Sequence, residues 1–355
     1  MTNSNGNSAA LFGDRRLRAL ITGGAGFLGF HLAEALLKEN HEVLILDDLS
    51  TGNAENIRDL KVYGGMRYWI DSIDNRSLLA ELVDECDVVF HLAAAVGVRL
   101  IVESPVRTIE TNVTGTELVL KAANKKKKPV FIASTSEVYG KSTRVPFSED
   151  DDLVLGTTTK GRWSYAASKA LDEFLALAYW KEKKLPVIVA RFFNIVGPRQ
   201  SGRYGMVFPN FVSNAMANSD IPVFGTGQQT RCFCYVGDAV CAVLKLVRNP
   251  ESVGEIFNIG SDRELSIEDL AQMVVQRLGS KSRIQHVPYE QAYEEGFEDM
   301  LRRLPSLEKI KRLTEWHPVT SVETCIDMVA SYMEQRGRWQ TNKHDSPKSS
   351  FAVGS

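Results

Sequence analysis

The chain has 355 residues and a formal net charge of −2, with 44% apolar and 24% charged residues. This is an ordinary globular balance, long enough for one large or two modest domains, and it gives no electrostatic reason to expect nucleic acid or membrane as a partner. No apolar run approaches membrane-spanning length and the polar N-terminus lacks a signal-peptide core, so the expectation is a soluble, cytoplasmic protein. Cys86, Cys232, Cys234, Cys241 and Cys325 show neither disulfide nor zinc spacing and read as thiols, and the scattered histidines suggest no metal site.

Residues 1–14 are rich in Asn, Ser and Gly and predict a flexible N-terminus. Arg18 to Thr22 then predicts a short buried strand, followed by Gly23-Gly24-Ala25-Gly26-Phe27-Leu28-Gly29 and an apolar helical pattern from His31 onward. Glycines at 23, 26 and 29 allow a tight turn, close approach to a pyrophosphate, and packing of the helix on the sheet. The helix N-terminus adds N–H donors and a favourable dipole for phosphates. A second strand ends at Asp47, where a carboxylate would accept from a ribose 2′-hydroxyl and repel a 2′-phosphate, favouring NAD over NADP. Phe27, Leu28, Thr51, Gly52, Asp71, Ser72, Leu92, Ala93 and Ala94, in the glycine loop or at or beyond the ends of predicted strands, complete the candidate cofactor contacts.

Strands are predicted over 18–22, 43–47, 67–71, 87–92, 130–134 and 187–193, with helical patterns between most of them. That alternation implies an α/β fold of Rossmann type, a doubly wound parallel sheet with its ligand at the strand C-termini. His91, at the end of the fourth strand, reads as structural. Lys125 to Lys128 read as a solvated helix end rather than an anion patch. Past Asn194, glycines, prolines and basic residues break the pattern. Residues 15–193 therefore read as the dinucleotide-binding domain, with sheet elements returning near 233–258. Residues 194–232 and 259–338 read as a smaller interleaved substrate-binding lobe, and 339–355 as a flexible tail.

Within Trp163-Ser164-Tyr165-Ala166-Ala167-Ser168-Lys169, Tyr165 and Lys169 lie four apart on a predicted helix, so phenol and ammonium share one face. A neighbouring ammonium and a cationic nicotinamide ring would favour the phenolate and suit Tyr165 as a proton acceptor.

Taken together, the motifs resemble the extended short-chain dehydrogenase/reductases that act on nucleotide sugars, over roughly residues 17–335. The matching segments are Thr22 to Gly29, His91-Leu92-Ala93-Ala94-Ala95, Thr111 to Thr116, Ser134-Thr135-Ser136-Glu137-Val138-Tyr139-Gly140, Tyr165-x-x-x-Lys169, Arg191 to Arg199 and Asn258-Ile259-Gly260. The resemblance implies that Tyr165 removes the sugar O4 proton beside Thr135 while C4 gives hydride to NAD, and that Lys169 holds the nicotinamide ribose. It also implies diphosphate contacts from Asn194 and Arg231, and a homodimer built on helices near 112–125 and 164–183.

Subfamily follows from smaller signals. Thr135-Ser136-Glu137 resembles uronate decarboxylases and GDP-mannose dehydratases, making Glu137 a candidate catalytic residue. Lys160-Gly161-Arg162-Trp163-x-Tyr165 resembles the approach to the tyrosine in the bacterial UDP-glucuronate decarboxylases of lipid A modification and in plant UDP-apiose synthases. Arg302-Arg303-Leu304-Pro305-Ser306 resembles their active-site arginine segment, which maps that role onto Arg303, although Leu304 departs from the pattern. Val96-Gly97-Val98-Arg99 instead resembles UDP-glucuronate 4-epimerases, with Arg99 as the basic partner of the carboxylate. The expectation is a UDP-glucuronate decarboxylase, with a UDP-sugar 4-epimerase as the alternative, a 4,6-dehydratase behind both, and a catalytically silent NAD-binding module disfavoured by the presence of Thr135, Tyr165 and Lys169.

Overall fold

The computed structural model describes residues 15–95, 104–288 and 300–337. Its strands in chain order are β1 Arg18–Thr22, β2 Glu42–Asp47, β3 Met66–Ile70, β4 Val88–His91, β5 Val130–Thr135, β6 Val187–Phe192, β7 Ile195–Val196, β8 Ile221–Phe224, β9 Thr230–Cys232, β10 Cys234–Tyr235, β11 Ile256–Ile259, β12 Glu264–Ser266 and β13 Ile284–Val287. The described helices are α1 Phe27–Lys38, α2 Ala54–Leu60, α3 Arg76–Glu85, α4 Pro105–Asn124, α5 Trp163–Lys183, α6 Val207–Met216, α7 Val236–Arg248, α8 Ile267–Arg277, α9 Glu308–Thr314 and α10 Val322–Gln335. The six predicted sheet strands form within one residue of their expected ends. α1 starts at Phe27 rather than His31, because Phe27-Leu28-Gly29-Phe30 forms its first turn.

Seven strands make the main sheet in the order β11-β6-β5-β4-β1-β2-β3, every pair parallel. The chain leaves β1 toward β2 and β3, then returns to β4 on the other side, so the strand order reverses between β1 and β4. Such a switch point opens a crevice beyond the strand C-termini. Both faces are covered, which is why the central strands are apolar without alternation. The pleat still sorts their side chains. Ala19, Ile21, Val43 and Ile45 face α1 and α7 through Leu32, Leu36, Val243 and Leu246. Leu20, Leu44 and Leu46 face α3, α4 and α5 through Leu79, Leu82, Leu120 and Ala176. Each such leucine or isoleucine contributes roughly 1.5–3 kcal/mol by leaving water.

A smaller core gathers Phe208, Phe211, Val212, Ile221, Val223, Leu270, Val274, Ile326 and Val329 from α6, β8, α8 and α10. The stretch around Phe208-Pro209-Asn210-Phe211, past the point where the regular strand–helix pattern breaks, is thus a helix with its aromatic face inside. Short pairs β7–β10, β9–β12 and β8–β13 tie this part together above the sheet's C-terminal edge.

Candidate active site

Loops after successive sheet strands converge along that edge. Gly23 has φ +75°, and a Cβ there would stand 2.8 Å from the Ala93 nitrogen, so the loop after β1 lies against Leu92-Ala93-Ala94 after β4. A Cβ on Gly29 would sit 2.2 Å from the Gly23 oxygen, so glycine is what lets the turn close onto α1. Gly26 is the N-cap of α1 and no side chain caps the helix. Its first N–H groups are oriented for an anion. Asp47 ends β2, and its carboxylate accepts from Ala25 N at 2.9 Å and Leu49 N at 2.8 Å. Burial pushes its pKa up, and these two backbone donors pull it back. Oxygen lone pairs remain for ribose hydroxyls. Gly52, next to Thr51, leaves room for that carboxylate, since a Cβ would approach Oδ1 to 2.6 Å. After β3, Asp71 accepts from Ser72 N at 2.7 Å and Asn75 Nδ2 at 2.8 Å. An uncapped helix end beside a ribose-type carboxylate fits a dinucleotide, and Phe27 and Leu28 lie in the first turn of that helix.

Thr135 closes β5 and caps the 3₁₀ turn Ser136–Tyr139 by accepting from Glu137 N at 3.3 Å. The first turn of α5 brings the phenol of Tyr165 beside Thr135 at the strand end. Lys169, one turn further, sends Nζ to Asp172 Oδ2 at 2.7 Å, with both side chains buried. Burial pushes the Tyr165 phenol up, the neighbouring Glu137 charge pushes it further, and the Lys169 ammonium is engaged by Asp172.

Glu137 stands next to this pair inside a cluster of cations. Arg162 Nη1 is hydrogen-bonded to its Oε2, and Arg303 Nη1 lies 3.5 Å from its Oε1. Burial alone would raise the carboxyl's proton affinity, but Arg162, then Arg303, then Arg231 outweigh it and hold Glu137 at about 2. Arg303 turns inward because its strand-like segment is fixed by backbone pairing: Phe147 N donates to Leu304 O and Ser306 N to Phe147 O, both at 2.7 Å. Leu304 thus serves through its carbonyl. Arg302 points the other way, to Glu264 at 2.8 and 2.6 Å. Arg231 is buried and donates to Thr230 O and Met300 O at 2.7 and 2.8 Å. Asn194, at φ 38°, follows β6 and donates to Cys232 O at 3.4 Å. Arg99 lies outside the described residues.

Arg162 is the residue that the sequence reading quoted within a motif but did not assign to the site. Its spacing, three residues before Tyr165, was the available signal. Behind the site, Arg191 pairs with Glu173 at 2.7 Å, and its guanidinium lies 4.7 Å from the centre of the Tyr139 ring. Tyr139 OH donates to Asn258 Oδ1 at 2.8 Å, and Asn258 Nδ2 donates to Phe147 O at 2.9 Å. This buried network braces the turn carrying Glu137 and the strand pairing that holds Arg303. His91 sits between Thr22 Oγ1 (2.8 Å) and Thr116 Oγ1 (3.2 Å), a structural placement. The basic run is tied down locally, with Lys126 on Asp84, Lys127 on the Lys183 carbonyl and Lys128 on the Cys86 carbonyl. Among the described residues no group of three or more His, Cys, Asp or Glu could hold a metal, the cysteines are free thiols, and no helix is long and apolar enough to cross a membrane.

The chain is 48% identical over 307 residues to the UDP-N-acetyl-alpha-D-glucosaminuronate decarboxylase of Bacillus cytotoxicus, covering 86% of this chain and 94% of that one. It is 32% identical over 337 residues to UDP-glucuronic acid decarboxylase 1 of Danio rerio, covering 94% of this chain and 76% of that one. Its fold superposes with a TM-score of 0.81 and 26% identity on UDP-glucuronic acid 4-epimerase of Bacillus cereus in complex with UDP-glucuronic acid and NAD, covering 90% of this chain and all of that one. The family model described as GDP-mannose 4,6 dehydratase matches residues 20–329, and the chain belongs to that family of extended short-chain dehydrogenase/reductases.

Proposed function

We propose that the protein is an NAD-dependent decarboxylase of a UDP-hexuronate. The observation that carries this reading is Glu137, its side chain 12% exposed, ionised between Arg162 and Arg303 and adjacent to Thr135 and Tyr165. A site that only oxidises and re-reduces C4 of a neutral sugar has no need of two inward arginines beyond the tyrosine. A carboxylate substrate does, because a buried anion requires a paired cation. The sequence alone put UDP-glucuronate first. The 48% identity to a decarboxylase of a 2-acetamido sugar acid moves UDP-N-acetylglucosaminuronate ahead of it.

NAD, when bound, supplies reversible hydride transfer at C4 of the sugar. The N-terminus of α1, with Gly23, Gly26, Phe27 and Leu28, would hold its pyrophosphate. Asp47, Thr51 and Gly52 would hold the adenosine ribose, Asp71 and Ser72 the adenine, and Leu92, Ala93, Ala94 and Lys169 the nicotinamide side. Tyr165 accepts the O4 proton and returns it, and Thr135 hydrogen-bonds O4 and fixes its direction. Such proton transfer typically contributes 10²–10⁴-fold. A carbonyl at C4 stands β to the C6 carboxylate, so the electron pair of the C5–C6 bond can enter the carbonyl as CO₂ leaves. Arg303 holds the carboxylate in line for that cleavage. Glu137, as a carboxylate, accepts from the hydroxyl or water that delivers the proton to C5. Asn194 and Arg231 hold the diphosphate, for which a guanidinium's fixed fork of donors is suited. Incubation with each UDP-hexuronate, followed by NMR, tests the proposal: the expected product is the UDP-pentose or its 4-keto precursor with one CO₂ released per turnover. A UDP-hexuronate inverted at C4 would make the protein a 4-epimerase instead. We further propose a homodimer, for which α4 and α5 supply the surface.

A further inference from the structure

Resting on the placement of NAD at the N-terminus of α1 and at Asp47, we propose that Arg199 is a positioning residue for the cofactor loop: it acts through Asn56 on the Ala25 backbone and, through that backbone, on Asp47. Arg199 belongs to the segment that follows β7, outside the residues assigned to NAD or to the sugar. Its φ is +74°, a left-handed conformation rare for any residue but glycine, which persists only where the surroundings over-determine it. They do so here. The guanidinium lies 3.7 Å from the centre of the Phe30 ring on α1 and 5.5 Å from that of Tyr332 on α10. Its two ends fork onto α2, Nη1 donating to Asn56 Oδ1 at 2.8 Å and Nη2 to Asp59 Oδ2 at 2.9 Å. One residue earlier, the Pro198 carbonyl accepts from His31 Nε2 at 2.9 Å, which docks the same segment on α1.

The contact with Asn56 reaches the cofactor loop. A guanidinium carries donors only, so the amide oxygen of Asn56 must face Arg199 and its Nδ2 must point away. Nδ2 donates to Ala25 O at 2.9 Å, a carbonyl that also accepts from Asn53 N at 3.0 Å. Ala25 N in turn donates to Asp47 Oδ2 at 2.9 Å. Ala25 stands between Gly24 and Gly26, residues that give the turn no stiffness of their own, so these bonds set its shape. Asp59 is a separate arm. It is also paired with Arg336, just past α10, and it anchors the guanidinium whose position Asn56 transmits.

NAD titration by fluorescence and urea titration of the same variants test this. Arg199→Met keeps an apolar stem against Phe30 and deletes the donors, while Asp59 retains Arg336 as its cation. NAD should bind about 3- to 10-fold more weakly, the range of one net hydrogen bond. Asn56→Ala should weaken NAD to a similar extent, and the double variant little beyond either single one, because both break the same path. Arg199→Lys keeps a charge for Asp59 without the fork, and carries the same test if Arg199→Met does not fold. It should hold most of the stability of the unmodified protein and still bind NAD about 3-fold or more weakly. NAD affinity within about twofold of the unmodified protein in both Arg199 variants would overturn the proposal. So would full addition of the two losses in the double variant, or NAD affinity that follows stability alone across the set. Asp47→Ala separates the underlying placement from the role of Arg199. Unchanged NAD affinity in Asp47→Ala would refute the ribose placement, whereas a loss there without one in the Arg199 variants would refute the role of Arg199 alone.

Discussion

Lys169 Nζ lies 2.7 Å from Asp172 Oδ2 on the same helix, with side chains 3% and 0% exposed. In the folded chain the ammonium is therefore held by Asp172. Removing one partner of a buried pair leaves an uncompensated charge and costs about 3–5 kcal/mol. Asp172→Ala should lose stability of that order in urea titration and weaken NAD binding. Asp172→Asn, which keeps the shape, should lose less. Unchanged stability and NAD affinity in Asp172→Ala would show that Lys169 does not depend on it.

Tyr165→Phe removes only the transferable proton. Turnover should fall by about 10²–10⁴-fold while NAD and UDP-sugar affinities stay within a few-fold. Retention of more than about a tenth of the activity would remove Tyr165 as the acid–base group.

Asp47→Ala should weaken NAD and narrow its advantage over NADP, read by fluorescence titration of both cofactors. Equal affinity of the unmodified protein for the two would contradict the ribose assignment.

Val106 and Ile109 on α4, and Leu171 and Phe174 on α5, are large apolar side chains left exposed, Phe174 by 67%. Covering them against a second copy would explain an apolar surface on two helices packed together. Light scattering should find a dimer, and Phe174→Glu with Leu171→Glu should give monomers. A monomeric unmodified protein at micromolar concentration would refute the dimer.

His91 carries a sign-definite pH effect. Burial first, and the Lys169 charge second, lower its pKa from 6.5 to about 3, so the native state holds it neutral while the unfolded chain takes up a proton. Its contribution to stability is full above about pH 6.5 and declines as pH falls toward 3, with a slope of up to about 1.4 kcal/mol per pH unit. Denaturant midpoints for the unmodified protein and His91→Asn across pH 4–8 should show a shallower acid decline in the variant. Identical slopes would mean that His91 does not titrate this way.

The sheet was legible because β1, β2, β4, β5 and β6 are short apolar runs bounded by glycine, proline or charge, and because Gly23, Gly26 and Gly29 answer to one backbone geometry. Thr135, Tyr165 and Glu137 were legible as motif positions, and the fold brings all three together. Arg162 was not singled out, since an arginine before a helix points to solvent as often as inward, and only the turn Ser136–Tyr139 packed against α5 settles its direction. The choice between Arg302 and Arg303 depends on the pairing of Phe147 with the 304–306 segment, a contact between distant parts of the chain. Four-residue spacing shows that Lys169 shares a face with Tyr165, but not that Asp172 takes up the ammonium.

The most direct test of the proposed chemistry is the carbon count of the product. Purified protein with NAD and UDP-N-acetylglucosaminuronate, and separately with UDP-glucuronate, should release CO₂ and leave a UDP-linked five-carbon sugar or its 4-keto form by mass spectrometry and NMR, with Arg303→Ala losing most of that activity while still binding NAD. A product that keeps all six sugar carbons and differs only in configuration at C4 would contradict decarboxylation.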